Sequence, residues 1–220
     1  MLEGSRRRLS TISTPRALTF SGLLALCCLD GSSVSPCALD LSLGLAMILF
    51  SAPGMTSLIA TECSTFVHMN VGTSKRTVWM PDGDPTVASV RRGNGLAAHS
   101  SLFMLLIALM RRTFVVEQPG TSLLMHTTRM AWLCETLANV GIPIFRQSFW
   151  LASWGHSNPK RTTLWSNSYV VRVFSTPKLE RSGFKDAPKL TVKYETKSGK
   201  TGYHGSDALK KTECPGPSYR

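Results

Sequence analysis

The sequence predicts an α/β domain with a three-layer, mostly parallel sheet over residues 38–174. Three observations lead there. Short apolar runs of strand length alternate with segments of helical periodicity, in the order helix–strand–helix–strand–helix–strand and then strand. Gly and Pro mark the boundaries between them. Apolar residues make up 43% and charged residues only 17%, below the roughly 25% of an average soluble domain, so a well-buried core is expected.

Residues 39–50 (LDLSLGLAMILF) read as a buried helix, capped by Asp40 or Ser42 and stopped before Pro53-Gly54. Residues 56–61 (TSLIAT) form an apolar run bounded by turn signals, as a buried strand does. Residues 64–87 are polar and aperiodic, with Gly72, Pro81, Gly83 and Pro85. A loop that long inside a compact domain is usually functional. Over 90–110, Leu96, His99, Phe103, Leu106 and Met110 recur at helical spacing, and Arg111-Arg112 suits the helix C-terminus. Residues 113–116 (TFVV) predict a second strand. Thr121 or Ser122 caps a helix running to about residue 140, where Gly141 stops it. Residues 142–150 and 162–165 complete the strand set, with 169–174 a candidate fifth. Such an order predicts a doubly wound sheet with a hairpin-like ending.

The flanks differ in composition. Lys and Arg exceed Asp and Glu by 25 − 13 = 12, an excess that attracts nucleic acid or an anionic surface. Much of it lies outside the core: residues 175–220 hold ten Lys/Arg against five Asp/Glu, and residues 1–16 hold four Arg against one Glu. Residues 1–37 read as a disordered or targeting lead-in. Arg6-Arg7-Arg8 and Arg16 precede the apolar stretch 17–29, the outline of a signal or transit peptide or of one apolar helix after a disordered start. Residues 175–220 read as a basic, loosely ordered tail, with 191–195 and 201–204 pairing as a small hairpin around Ser198-Gly199. Neither 38–50 nor 102–110 approaches the roughly 20 residues needed to span a bilayer. The six cysteines form no CxxC pair and the histidines no zinc spacing, so reduced thiols and no structural metal are expected.

Ligands of open parallel sheets bind outside the carboxyl ends of the strands. Those ends carry Glu62-Cys63-Ser64, then Glu117-Gln118-Pro119-Gly120, then the loop from Trp154-Gly155 to Pro159-Lys160-Arg161. A thiol such as Cys63 needs a positive neighbourhood to act as a nucleophile, and Lys75 and Arg76 are placed to supply it. A carboxyl such as Glu117, held in an apolar site, gains a raised pKa and can donate a proton. The bland alternatives are an inert buried cysteine and a glutamate that caps a helix. Gly120-Thr121-Ser122 opens a helix whose N–H groups favour phosphate. Lys160 and Arg161, with Trp154 and two further tryptophans nearby, suit phosphate contact and base stacking.

In that order, a strand-end Cys, a strand-end Glu and a basic loop before a strand resemble the DNA cytosine-C5 methyltransferases. The resemblance implies Cys63 as nucleophile, Glu117 as acid, and Lys160 and Arg161 as the phosphate-contacting pair; Lys75, Arg76 and Trp154 are read from their own surroundings as further nucleic-acid or phosphate contacts. Glu62 stands where that family has Pro, and Gln118-Pro119 where it has Asn-Val. From the Asp40–Gly44 segment to Cys63 the chain is too short for the glycine loop and two βα units that hold S-adenosylmethionine. The resemblance is therefore to a truncated, degenerate domain of Rossmann-like type. TECSTFVHMNVGTSKRT, VRRGNGLA, FVVEQPGTSLL, WGHSNPKRTTLWSNS and GYHGSDALKKTECP together resemble an uncharacterised family of dinoflagellate proteins.

Three classes of function fit this reading. The first is a methyltransferase-like nucleic-acid or nucleotide binding domain without efficient catalysis. The second is an active methyltransferase whose S-adenosylmethionine site is completed by a protein partner. The third is a non-enzymatic protein associated with a membrane, or sent to an organelle, through its N-terminal apolar segment.

Overall fold

The computed structural model describes residues 23–27, 36–156, 159–176, 179, 189, 191–195, 199 and 201–206. The secondary structure runs β1 (Leu23–Cys27), α1 (Pro36–Leu49), β2 (Thr56–Ala60), α2 (Val71–Ser74), α3 (Ala88–Leu109), β3 (Thr113–Pro119), α4 (Thr128–Asn139), β4 (Phe145–Trp150) and β5 (Arg161–Ser166). A hairpin of β6 (Thr191–Glu195) and β7 (Thr201–Gly205) follows, antiparallel and in the place the sequence pattern puts it.

The main sheet has the order β1-β2-β3-β5-β4. Strands β1, β2 and β3 are parallel neighbours, while β5 is antiparallel to both β3 and β4. The chain is thus a mixed α/β domain. Strands β1, β2 and β3 follow one another across the sheet, and β5 then comes back between β3 and β4. Right-handed crossovers in one direction put their helices on one face, and α3 indeed packs against both α1 and α4.

That face holds the larger core. Ile59, Phe114 and Val116 from the strands meet Ile48 of α1, Met104 and Ile107 of α3, and Met130, Leu133 and Leu137 of α4. Each such side chain contributes about 1.5–3 kcal/mol by leaving water. Gly44 of α1 lets the helices approach, since a Cβ there would sit 2.5 Å from the Phe103 ring. The alternating burial of β2 and β3 turns Ser57, Ile59, Phe114, Val116 and Gln118 toward the helices. The other face carries a smaller cluster, Phe149, Leu164 and Val171, joined by Val115, Phe145 and Phe174.

Several elements depart from the sequence reading. Part of the apolar stretch 17–29 is the strand β1, paired in register with β2 from Leu23↔Thr56 onward. Helix α1 starts at Pro36, not at Asp40 or Ser42; proline suits a first helical position, where its missing N–H costs nothing. Residues 169–174 are a 3-10 helix and not a strand. Asn167 ends β5 by folding back on β3: its side chain accepts from the Phe114 N–H at 3.0 Å and donates to the Arg112 carbonyl at 2.8 Å. Val171 is thereby buried, Phe174 stacks on Phe149 at 5.3 Å and Tyr169 meets Phe145 edge-on at 5.5 Å.

Candidate functional site at the carboxyl edge of the sheet

The parallel register sets the site. Ile59 lies beside Val116, and the Gln118 side-chain amide donates to the Thr61 carbonyl at 2.7 Å, so β2 and β3 leave the sheet side by side. Because β5 is antiparallel, its N-terminal end arrives at the same edge. There the Gly120 N–H donates to the Arg161 carbonyl at 2.8 Å, and the Leu151 N–H donates to the Lys160 carbonyl at 2.9 Å. The turn after Cys63, the end of β3 and the Lys160-Arg161 pair therefore share one edge.

Their side chains do different things. Glu117 lies inside β3, opposite Leu164, on the sheet face away from the helices. Burial there pushes its carboxyl above the usual range, against the downward pull of Lys160 and the Thr162 hydroxyl. Cys63 is half-buried and carries no disulfide, and its carbonyl accepts the N–H groups of Phe66 (2.9 Å) and Val67 (3.2 Å). On the helix side Glu62 binds the Ser64 hydroxyl at 2.6 Å and pairs with Arg92 at 3.5 Å, over a hollow of about 280 Å³ under the start of α3. Glu117 and this hollow are on opposite faces of the sheet.

Arg76 departs most from its expected role as a surface contact. Its side chain is 1% exposed. The guanidinium donates to the Pro81 carbonyl (2.6 Å), the Asn94 side chain (2.9 Å), the Val90 carbonyl (3.3 Å) and the Thr65 hydroxyl (3.4 Å), and sits 4.1 Å from the centre of the Phe66 ring. Burial pushes its pKa down and nearby Asp82 pushes it back up. Gly93 of α3 leaves room for it: a Cβ there would lie 2.6 Å from the Thr65 hydroxyl and 3.1 Å from the guanidinium. Lys75 stays exposed, in the left-handed region at φ 56°.

The 64–87 segment is consequently a fixed strap. Arg76 holds it to α3, and the Asp82 carboxylate holds it to α4 by accepting the Thr128 N–H at 3.1 Å and the Thr128 hydroxyl. The helix expected to open at Gly120-Thr121-Ser122 starts instead at Thr128. Ser122 is already committed, donating to Gln118 at 2.8 Å and accepting from the Leu124 N–H at 3.2 Å. The phosphate-binding helix start is therefore not at residue 120.

At the other end of the edge, Arg161 is exposed and extends along the turn at Gly120, where a Cβ would come within 2.9 Å of it. Its guanidinium lies 6.0 Å from the Trp150 ring centre. Trp154 is 54% exposed and leans on Phe174 at 5.4 Å. Beside this rim, on the helix side, a second hollow of about 360 Å³ is lined by Gly120, Ser122, His126, Cys134, Arg146 and Trp165. Burial pushes the Cys134 thiol up, which keeps it protonated.

Sequence reasoning misses Arg146, whose guanidinium stands 5.7 Å from the Trp165 ring centre, and Trp79, which is almost fully exposed. Only the cross-strand pairing of Arg146 with Trp165 reveals the first. A Val-Trp-Met triplet inside a polar loop signals the second. Among the described residues no group of three or more His, Cys, Asp or Glu is placed to hold a metal. No family model, curated protein or solved structure matches the chain.

Proposed function

We propose that this chain is a methyltransferase-like binding domain for single-stranded nucleic acid or nucleotides, acting without efficient catalysis. The observation that carries the reading is the rim at the carboxyl edge: Arg161 laid on the Gly120 turn and near the Trp150 ring, Lys160 next to it in the chain, and exposed Trp154 on the short 3-10 helix that follows β4. Cations that track phosphates, interleaved with aromatic faces that stack bases, are the usual means of holding a single strand. The net charge of +12 adds long-range attraction.

The methyl-transfer part of the resemblance is weaker in chemistry. Glu62 stands where the resemblance has Pro and is paired with Arg92, Cys63 is not among the residues that line their hollow, and Glu117 lies inside β3 opposite Leu164. On this reading the sheet is one wing of a Rossmann-like fold, and S-adenosylmethionine is not bound by the chain alone. Fluorescence anisotropy of short single-stranded DNA and RNA at rising salt tests the proposal. Binding is expected to weaken with salt. Each phosphate contact removed should lower the log–log slope by about 0.7, and Trp154→Ala should cost about 1–3 kcal/mol. A chain with no affinity at low salt overturns it. Heat of binding on titration with S-adenosylmethionine would instead favour the catalytic alternative.

Membrane association through the N-terminal apolar segment has less support. Its residues Leu23–Cys27 are paired in the sheet, and among the described residues no helix is long and apolar enough to cross a membrane.

A further inference from the structure

Residues 77–80 fold into a small closed turn. The Thr77 N–H donates to the Met80 carbonyl at 3.1 Å, and the Met80 N–H donates back to the Thr77 carbonyl (3.2 Å) and hydroxyl (3.0 Å). Val78 is 62% exposed, Trp79 95% and Met80 49%. Three consecutive apolar side chains thus stand in solvent on the best-anchored part of the strap. Buried Arg76 precedes them, and Asp82, bound to the start of α4, follows. An isolated exposed apolar residue needs no explanation, but a contiguous, rigidly mounted patch does.

We propose that this turn is a lipid-insertion tip that docks the chain peripherally on a bilayer, with Trp79 at the apex. Val78, Trp79 and Met80 all stand in solvent on one closed turn, and a fluid acyl–headgroup boundary can receive all three together. Val78 and Met80 offer no ring to stack on a base, which disfavours nucleic acid as the occupant. Tryptophan itself favours the membrane–water boundary, with its apolar body inward and its N–H toward water. The base of the tip is polar, with the carboxylates of Asp82 and Asp84 offset by nearby Arg76 and Lys75. Lys75 is exposed there, while Asp84 faces the Thr86 N–H (2.9 Å) and hydroxyl (2.6 Å), and Asp82 faces Thr128. The +12 net charge draws the whole chain toward an anionic surface. Because the turn is already ordered, little conformational entropy is lost on docking.

The test is co-sedimentation of the full chain with sucrose-loaded vesicles of phosphatidylcholine with a minority of phosphatidylserine. The wild-type chain should pellet with the vesicles, and Trp79→Ala should lower the partition coefficient at least about tenfold. Trp132→Ala, which removes a half-exposed tryptophan of α4, should leave partition unchanged. Since Trp79 packs against almost nothing, the variant's urea midpoint should match wild type, and that match separates loss of docking from loss of folding. Wild-type chain left in the supernatant overturns the proposal. So does an equal loss in both tryptophan variants, or partition of Trp79→Ala at the wild-type level through charge alone. None of these outcomes bears on oligonucleotide binding by the Arg161 rim.

Discussion

Two arginines at the same edge of the sheet look alike in sequence, each next to a lysine and each in a loop beside an apolar strand. One, Arg76, is drawn wholly inside; the other, Arg161, lies out on the surface. Both rest against a glycine, Gly93 for Arg76 and Gly120 for Arg161. What separates them is the supply of acceptors. Arg76 meets two carbonyls, an amide oxygen and a hydroxyl, together with an aromatic face. Arg161 meets an aromatic ring and water. A buried cation persists only where most of its donors are taken up, as those of the two terminal nitrogens of Arg76 are while its Nε–H has no partner, so charge in a loop does not by itself mark a binding residue.

The largest expected effect breaks the buried half of the pair. Arg76→Met removes the donors from Thr65, Pro81, Val90 and Asn94 and should lower stability by about 2–4 kcal/mol, read from urea unfolding. A loss of only a few tenths would mean the strap is held by other contacts. Gly93→Ala acts on the same hub from the helix side. Its new methyl group meets the Thr65 hydroxyl at 2.6 Å, and about 1–3 kcal/mol should go.

Arg161→Ala is the mirror experiment. Its stability should stay within about 0.5 kcal/mol of wild type, while oligonucleotide affinity falls and the salt slope flattens. If the folded Arg76 variant loses affinity and the Arg161 variant does not, the comparison is inverted and the rim is not the contact.

The smallest effect concerns Glu117. Its folded-state pKa is raised by burial, so the folded chain holds this proton more tightly than the unfolded one. The resulting stability is fully present below the unfolded value, about 4.3, and is lost as pH rises through the higher folded value. Glu117→Gln keeps a neutral group there. It should match wild type in acid and exceed it slightly at neutral pH, by urea midpoints taken at both. A difference that does not change with pH would remove burial of the charge as its cause.

The core of the fold is legible in sequence because periodicity reports burial. The 3.6-residue recurrence through Phe103 and Met110 and the compact TFVV and TSLIA runs mark α3, β3 and β2 closely. The hairpin of β6 and β7 is legible from a turn signal between two β-rich runs. What fails depends on partners distant in the chain. Nothing local to 23–27 tells a strand from an apolar helix; its pairing with β2 does. Residues 169–174 are rich in β-branched and aromatic residues like a strand, yet Asn167 turns them back onto Phe149 and Phe145. At the site, the shared edge can be read from the order of elements. The inward turn of Arg76 cannot, since its acceptors come from Pro81, Val90 and Asn94.

The position of β5 bears on how the chain folds as it is made. Strand β4 emerges first, but it touches the rest of the sheet only through β5, the next strand to be synthesised. Until Arg161–Ser166 has left the ribosome, β3 keeps a bare edge and β4 has no strand to pair with. Insertion of an antiparallel strand between two elements already present is a non-local step, and such steps slow folding. A chain stopped before residue 161 should therefore present open strand edges and aggregate, while one continued through the 3-10 helix at Tyr169–Phe174 closes the sheet.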